Sequence, residues 1–422
     1  MLGNGPVFTE VDGRSPTPGE WWNALAVSLS AMTAVALLSA LRFGVVPYPS
    51  AVYAAWDQNR YIAMALHPFS ANPLVHQAPF AWRILTPLLA HVLPLPFKDS
   101  FYAINFVALA LVGPFVYGWL RSAGRPHSSA AAATLGFYGL YWGPWFVSWD
   151  YFLTDGIGLL VTAIGLWLLL RRGVRWWVFS LVVAAGSLNK ESALFLLLPY
   201  FLIAVRRGAV LKTAWSTIKV ALLPCAVTSA LRAWIYHTNT YDYLALLRRA
   251  RGLPGVHAAL GPRLAVAIVH VGWTYSFATF GLLLLPVTAV AALRLARILT
   301  RREVSRAWGR RAGVLSAIGV SAPACLAAVV VSNPTRAVAY AFPIVLLLFS
   351  LSVEVLASAL GWSRRVASGV AGAVIGAQIA AILAGFDTTP GASVIVVVGI
   401  VAGVATVYAW ALRTRRAEES QP

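Results

Sequence analysis

Two aspartates, Asp57 and Asp155, are the strongest candidates for chemistry, because acidic residues are rare in this sequence. Only 14 of the 422 residues are Asp or Glu. Asp57 lies in a short mixed polar and apolar stretch, 56–65, and Asp155 opens a long apolar run, 155–170. A carboxylate held at the edge of an apolar region can act as a general base, and we predict this role for Asp57. The alternative for Asp57 is an acid that complements the dipole at a helix N-terminus.

Two cations, Lys190 and Arg336, are candidates for holding an anionic group. Arg336 begins an apolar run, and its planar guanidinium can bind a phosphate through two parallel hydrogen bonds. Lys190 lies in a polar corner, 189–192, between two apolar runs. Each cation has an alternative role. For Lys190 it is an ion pair with the adjacent Glu191, and for Arg336 it is a side chain extended to the aqueous boundary.

Several further polar residues near these four are candidates for contact with a substrate. Arg83 is a third candidate for phosphate binding, and the remaining candidates are Asp150, Glu191, Tyr61, Arg60 and His76. The alternative for Asp150 is an N-cap before Tyr151. The spacing of the histidines and of the two cysteines matches no metal motif, so no metal ligand is assigned.

The elements that position these residues are predicted to be membrane-spanning helices. Apolar residues make up 59% of the chain and charged residues only 11%, whereas soluble domains carry about 25% charged residues. The apolar runs are continuous, as in 159–170 and 394–407, and they lack the alternation of barrel strands. Helices satisfy their own backbone hydrogen bonds in lipid. We therefore predict an all-α polytopic bundle that forms a single integral membrane domain, 1–422.

The apolar runs divide into about twelve predicted spans. They cover residues 23–41, 100–120, 128–147, 152–170, 176–189, 192–205, 213–235, 264–293, 312–331, 337–358, 366–385 and 391–411. The segment 80–95 is apolar too, but a run of about 16 residues is more typical of an interfacial helix than of a span. We place it on the membrane surface, within a long first external loop, 42–99, that carries interfacial helices.

The basic residues predict the orientation of these spans. The formal net charge is +19, and 20 of the 33 Lys and Arg residues fall in alternate loops and the C-terminal tail. This bias follows the positive-inside rule, so both tails, 1–22 and 412–422, are predicted to be cytoplasmic. The charge then meets anionic lipid headgroups rather than nucleic acid. Arginine outnumbers lysine 29 to 4, which is typical of a GC-rich genome and favours a bacterial plasma membrane.

Four segments together resemble the GT-C superfamily, the membrane glycosyltransferases that use polyprenyl-phosphate sugars. Asp57 followed by Tyr61-Ile62-Ala63 is similar to the start of the first external loop in that family. The stretch 79–89 resembles the second surface helix of that loop. The remaining matches are Thr154-Asp155, at the position of a second acid, and Arg336 with Tyr340 and Pro343, which resembles a late span of the family.

This resemblance implies an inverting glycosyltransferase of the bacterial mannosyltransferase type. The enzyme would move a sugar, with mannose favoured, from a polyprenyl-phosphate donor to a hydroxyl on the extracytoplasmic face. The acceptor would be a glycan, a lipid or a peptide, and no cofactor beyond the lipid-linked donor is implied. Asp57 would be the base and Asp155 would orient the acceptor, while Lys190, Arg336 and Arg83 would hold the donor phosphate.

A multi-pass transporter or lipid flippase is the alternative, because it also uses acids and arginines within the membrane. A transporter favours charges near the bilayer midplane and broken helices there. Half of the acids are instead predicted to lie on the external side. Charges beside lipid are tolerable when they are paired or hydrated. We therefore expect Asp57, Asp155, Lys190 and Arg336 to converge on one external cavity.

Overall fold

The described part of the chain is entirely helical. The computed structural model describes residues 15–44, 57–70, 82–171, 173–205, 210–238, 279–295, 311–330 and 334–385, and no strand occurs among them. Within these ranges five helices are long and apolar enough to cross a membrane. They are Pro18–Phe43, Phe97–Ser122, Val210–Ile235, Phe342–Ala359 and Arg364–Leu383. The described residues are thus helical, and these five helices are compatible with a membrane protein.

The described residues form fifteen α-helices, numbered in chain order. The first seven are α1 (Pro18–Phe43), α2 (Asp57–Leu66), α3 (Leu85–Val92), α4 (Phe97–Ser122), α5 (His127–Phe137), α6 (Phe146–Trp149) and α7 (Asp155–Leu170). The next four are α8 (Trp176–Ser187), α9 (Leu197–Val205), α10 (Val210–Thr238) and α11 (Leu285–Leu295). The last four are α12 (Arg311–Val330), α13 (Pro334–Ala339), α14 (Phe342–Ala359) and α15 (Arg364–Leu383).

The core is built around α4, which packs against α7, α1, α5 and α3. Its face toward α7 is buried along most of its length, and Trp119 near its end is completely buried. Close van der Waals packing of the two helices stabilises this contact. The α4–α7 pair is therefore the frame from which the residues at the start of α7 project.

Two helices predicted as continuous spans are interrupted. The predicted span 128–147 ends as α5 at Phe137 and resumes through a widened turn, in which Gly143 has non-helical torsions (φ −106°, ψ −108°) and precedes Pro144. The predicted span 337–358 breaks between α13 and α14, where Pro343 lies in the first turn of the new helix. Proline has no backbone N–H to continue a helix, so it starts one instead.

The segment predicted to lie on the surface forms a short helix. α3 has eight residues and is about 12 Å long at 1.5 Å per residue, against about 30 Å for the hydrocarbon. It packs on α2 and α4. Residues of these helices and of the turn after α6 share a small core of their own, which includes Tyr61, Met64, Phe101 and Phe152. This core fixes α2 and α3 against one end of the bundle, called here the site end.

Some predicted elements lie outside the described residues. They are the tails 1–14 and 412–422, the predicted span 391–411, the first half of the predicted span 264–293 and most of the predicted external loop 236–263.

Candidate functional site

One buried carboxylate gathers two cations and a phenol at the site end. Lys190 Nζ and the Tyr340 hydroxyl both donate to Asp155 Oδ1, the latter at 3.2 Å, and Arg336 Nη2 donates to Oδ2. The Asp155 side chain is only 5% exposed. Lys190 Nζ also lies 4.8 Å from the centre of the Tyr340 ring, a cation–π distance. These four residues are called the Asp155 cluster.

The Asp155 cluster depends on two close approaches to the first turns of α7. A Cβ on Gly158 would lie 2.3 Å from the Tyr340 hydroxyl, and a Cβ on Gly156 would lie 2.2 Å from Asn105 Oδ1. Both distances are too short for non-bonded atoms. The two glycines therefore leave room for Tyr340 to reach Asp155 and for Asn105 to pack beside it.

Two buried asparagines hold the non-helical stretch that leads into Asp155. Asn105 Nδ2, on α4, donates to the carbonyls of Tyr151 at 2.7 Å and Leu153 at 3.0 Å. Asn189 Nδ2 donates to the carbonyl of Thr154 at 2.6 Å, and Asn189 is next to Lys190 in the chain. Buried carbonyls outside a helix need such donors. Sequence reasoning missed both asparagines, although an asparagine inside the apolar run of α4 was a usable signal.

A second linked set lies beside the cluster and joins α2 to the corner after α8. Arg83 Nε donates to Glu191 Oε2 at 3.3 Å, and Arg83 Nη1 donates to the Tyr61 hydroxyl at 3.2 Å. Lys190 pairs with Asp155 and Glu191 pairs with Arg83. The alternative in which Lys190 and Glu191 form a simple ion pair with each other is therefore not the arrangement observed.

Asp150 connects the same region to the first turn of α2. Gln58 Nε2 donates to Asp150 Oδ1 at 3.1 Å, and both side chains are buried. Asp150 ends α6 rather than beginning a helix, and the N-cap position before α7 belongs to Thr154, so the N-cap alternative for Asp150 is wrong. The 150–154 stretch is not helical, hence helical spacing does not set the angle between Asp150 and Asp155.

The other predicted site residues are less closely defined. Asp57 is the first residue of α2 and precedes Gln58, but its side chain lies outside the described part of the structure. Arg60 is partly buried on α2. His76 lies outside the described residues. Among the described residues no group of three or more His, Cys, Asp or Glu is arranged to hold a metal ion.

The two sets bring five charged side chains close together. Lys190, Arg336 and Arg83 carry three positive charges, and Asp155 and Glu191 carry two negative ones. Burial lowers the pKa of Lys190 to about 8, and the guanidiniums of Arg336 and Arg83 also lower it, while Asp155 opposes them. A cation in a poorly hydrated region is costly unless it is paired or hydrogen-bonded. Arginine and lysine side chains placed in this way are suited to holding an anionic group.

No family model, no curated protein and no solved structure matches this chain. A function must therefore be inferred from the residues and their geometry. The structure brings Asp155, Lys190 and Arg336 into direct contact, although they come from three distant segments. It joins Arg83, Glu191 and Tyr61 in the adjacent set.

Proposed function

We propose that this protein is an inverting glycosyltransferase that moves a sugar, with mannose favoured, from a polyprenyl-phosphate donor to a hydroxyl acceptor. The observation that carries the proposal is the Asp155 cluster with its neighbouring Arg83–Glu191 pair. Three cations whose side chains are only 14–17% exposed pair with two carboxylates there. A sugar linked to polyprenyl phosphate is a phosphodiester with one negative charge, which arginine and lysine side chains are suited to bind. Its lipid tail suits a site bounded by apolar helices.

The chemistry requires one base and a clamp for the leaving phosphate. The acceptor oxygen attacks the anomeric carbon, the bond from that carbon to the phosphate oxygen breaks, and the hydroxyl proton passes to Asp57. The released polyprenyl phosphate gains a second negative charge. Arg336 and Lys190 would stabilise that charge more strongly in the transition state than in the donor.

Asp155 is better suited to positioning than to proton transfer. A carboxylate offers about four acceptor sites, and Asp155 already receives hydrogen bonds from Lys190, Arg336 and Tyr340. It would hold the two cations in the orientation that a phosphate needs and would lie close to the acceptor. Asp57, at the first position of α2, is left as the base.

The remaining assignments follow from the same function. Asp150, Glu191, Tyr61, Arg60 and His76 would contact the substrates around the cluster. We further propose a GT-C-like bundle of about twelve spans in a bacterial plasma membrane, with both termini cytoplasmic. The site end would then face the extracytoplasmic side, where the lipid-linked donor presents its sugar.

A transporter or lipid flippase is the second candidate, because one observation favours it. The break before Phe342 adjoins Tyr340 of the Asp155 cluster, and the break before Phe146 packs on α7 and α13. Discontinuous helices are typical of transporter binding sites. Reconstitution in vesicles distinguishes the two functions. A flippase moves a labelled polyprenyl-phosphate sugar across the bilayer without acceptor, whereas a transferase produces a new glycoside.

The test of the proposed function is transfer from radiolabelled polyprenyl-phosphate mannose to a membrane extract. Arg336→Ala is expected to weaken donor binding by about 10- to 100-fold, the loss of a charged hydrogen bond of about 1.5–3 kcal/mol. Arg336→Lys should restore binding only in part, because lysine lacks the bidentate fork.

The matched control is Arg171→Ala, an exposed arginine at the opposite end of α7. It should transfer sugar like the native protein. Equal donor binding by native protein and Arg336→Ala, with both folded in detergent, would remove Arg336 from the phosphate clamp. Failure of the native protein to transfer any of a panel of polyprenyl-phosphate sugars would remove the function itself.

The proposed orientation is tested by cysteine labelling in intact cells. Cys225 and Cys325 are first replaced by alanine, and single cysteines are then placed at Ala258 and Ala307, two positions outside the described residues. A membrane-impermeant maleimide is expected to label Ala258→Cys and to spare Ala307→Cys, because the basic segment 301–311 should stay cytoplasmic. The opposite pattern would invert the orientation.

A further inference from the structure

A second polar site lies far from the Asp155 cluster, and the proposed chemistry does not use it. Glu354 lies twelve residues beyond the start of α14, about 18 Å along the helix from the end that carries Tyr340. A crevice of about 280 Å³ opens there between α5, α14 and α15. Its polar lining consists of Ser128, Ser129, Glu354, Trp362, Arg364 and Ser368. It is called here the Glu354 crevice.

Glu354 forms the acidic wall of this crevice. Arg125 Nη1 donates to Glu354 Oε2 at 3.1 Å, and the hydroxyls of Ser129 and Ser350 donate to Oε1 at 2.6 and 3.4 Å. The carboxylate is still 23% exposed and lines the crevice. With about four acceptor sites on a carboxylate, it has capacity for one more donor from the crevice side.

The opposite wall is basic and polar. Arg364 and Ser368 are four residues apart in the first turns of α15, and both are exposed and line the crevice. Trp362 lies beside them, and tryptophan is enriched where a membrane meets water. The rest of the lining is small and apolar and includes Ala132, Val353 and Ala357. The crevice therefore presents an acid and a base across a partly apolar cleft.

We propose that the Glu354 crevice binds the headgroup of a phosphoethanolamine lipid. The primary ammonium would donate to Glu354, and the phosphate would accept from Arg364 and Ser368. The acyl chains would leave along the apolar wall toward the bilayer. A lipid that carries both charges close together matches a crevice that has Glu354 on one helix and Arg364 on another.

Two other common headgroups match the crevice less well. A trimethylammonium group has the same charge but no N–H to donate to Glu354. A phosphoglycerol headgroup has no ammonium group, so it would leave the remaining acceptor site of Glu354 unfilled. The order of affinity among the three lipids is thus set by the ammonium contact.

The test uses the full chain purified in detergent and short-chain lipids with identical acyl chains. Phosphatidylethanolamine is expected to bind at least about tenfold more tightly than phosphatidylcholine or phosphatidylglycerol, as one charged hydrogen bond would give. Arg364→Ala should weaken this binding about tenfold, while the adjacent Arg365→Ala, which does not line the crevice, should leave it unchanged.

Glu354→Gln separates recognition of the ammonium from recognition of the phosphate. It should abolish the preference for phosphatidylethanolamine while the phosphate contact remains. If Glu354→Gln does not fold, the comparison of Arg364→Ala with Arg365→Ala decides on its own. Equal binding of the three lipids by the native protein, tighter binding of phosphatidylglycerol, or no effect of Arg364→Ala would each overturn the proposal.

Discussion

Replacing Asp155 by alanine is expected to destabilise the protein by about 3–5 kcal/mol, the typical cost of leaving a buried charge without its partner. Lys190 and Arg336 both donate to this carboxylate, and both side chains are only 14% exposed. Without Asp155 the two cations repel each other across a cavity. The measurement is the shift in unfolding midpoint in detergent, followed for native protein and variant under the same conditions.

Two further variants show whether unpaired charge causes the loss of stability in Asp155→Ala. Asp99→Ala removes an exposed acid at the same end of the bundle and should change stability by about 0.5 kcal/mol or less. Adding Arg336→Met to Asp155→Ala should recover part of the loss, because the second substitution removes one uncompensated cation. If Asp155→Ala alone is as stable as the native protein, the cations are hydrated and the cluster is not a buried ion network.

Much of the helical pattern could be predicted from the sequence. The predicted spans 23–41, 100–120 and 176–189 correspond to α1, α4 and α8 with ends shifted by a few residues. Continuous apolar runs strongly indicate helices, because a helix satisfies the hydrogen bonds of its own backbone in lipid. The five long apolar helices among the described residues support the membrane class and leave the full count of spans a prediction.

The breaks in the helices were the part of the fold that hydropathy could not predict. The runs through Gly143 and Pro343 remain apolar. Hydropathy averaged along the sequence therefore does not show the change in backbone direction. Glycine and proline at those positions were visible in the sequence as helix breakers. Whether such a residue interrupts a helix depends on tertiary contacts, because a proline inside α4 and another inside α12 do not end those helices.

The site could be predicted only in outline. The rarity of charges predicted that the acids and bases would meet, and Asp155 meets Arg336 across 181 residues of sequence. No local pattern could show which cation pairs with which acid. Lys190 pairs with the distant Asp155 and not with the adjacent Glu191. The roles of Asn105 and Asn189 were not predicted, because these side chains donate to backbone carbonyls and the pattern of charged residues does not indicate such contacts.

Asp57→Asn is expected to lower the rate of sugar transfer by about 10²- to 10⁴-fold, the usual contribution of a general base. Asparagine keeps the shape of the side chain but cannot take the proton of the acceptor hydroxyl. Asp57 begins α2, one residue before the Gln58 side chain that binds Asp150, so its backbone lies beside the segment that leads to the Asp155 cluster. The control is Asp99→Asn, an exposed acid at the same end of the bundle, which should transfer normally.

Separate measurement of kcat and of the affinity for the donor distinguishes a general base from a residue that only binds substrate. Asp57→Asn should lower kcat and leave the affinity for the donor close to native, whereas Arg336→Ala should weaken donor affinity. The unfolding temperature of the variant in detergent should stay close to native, which shows that the lost transfer does not come from unfolding. A transfer rate within about threefold of native would exclude Asp57 as the base, since general-base catalysis is worth far more than that. Loss of lipid movement in vesicles that contain no acceptor would instead favour the flippase, because a base has no proton to take when no acceptor is present.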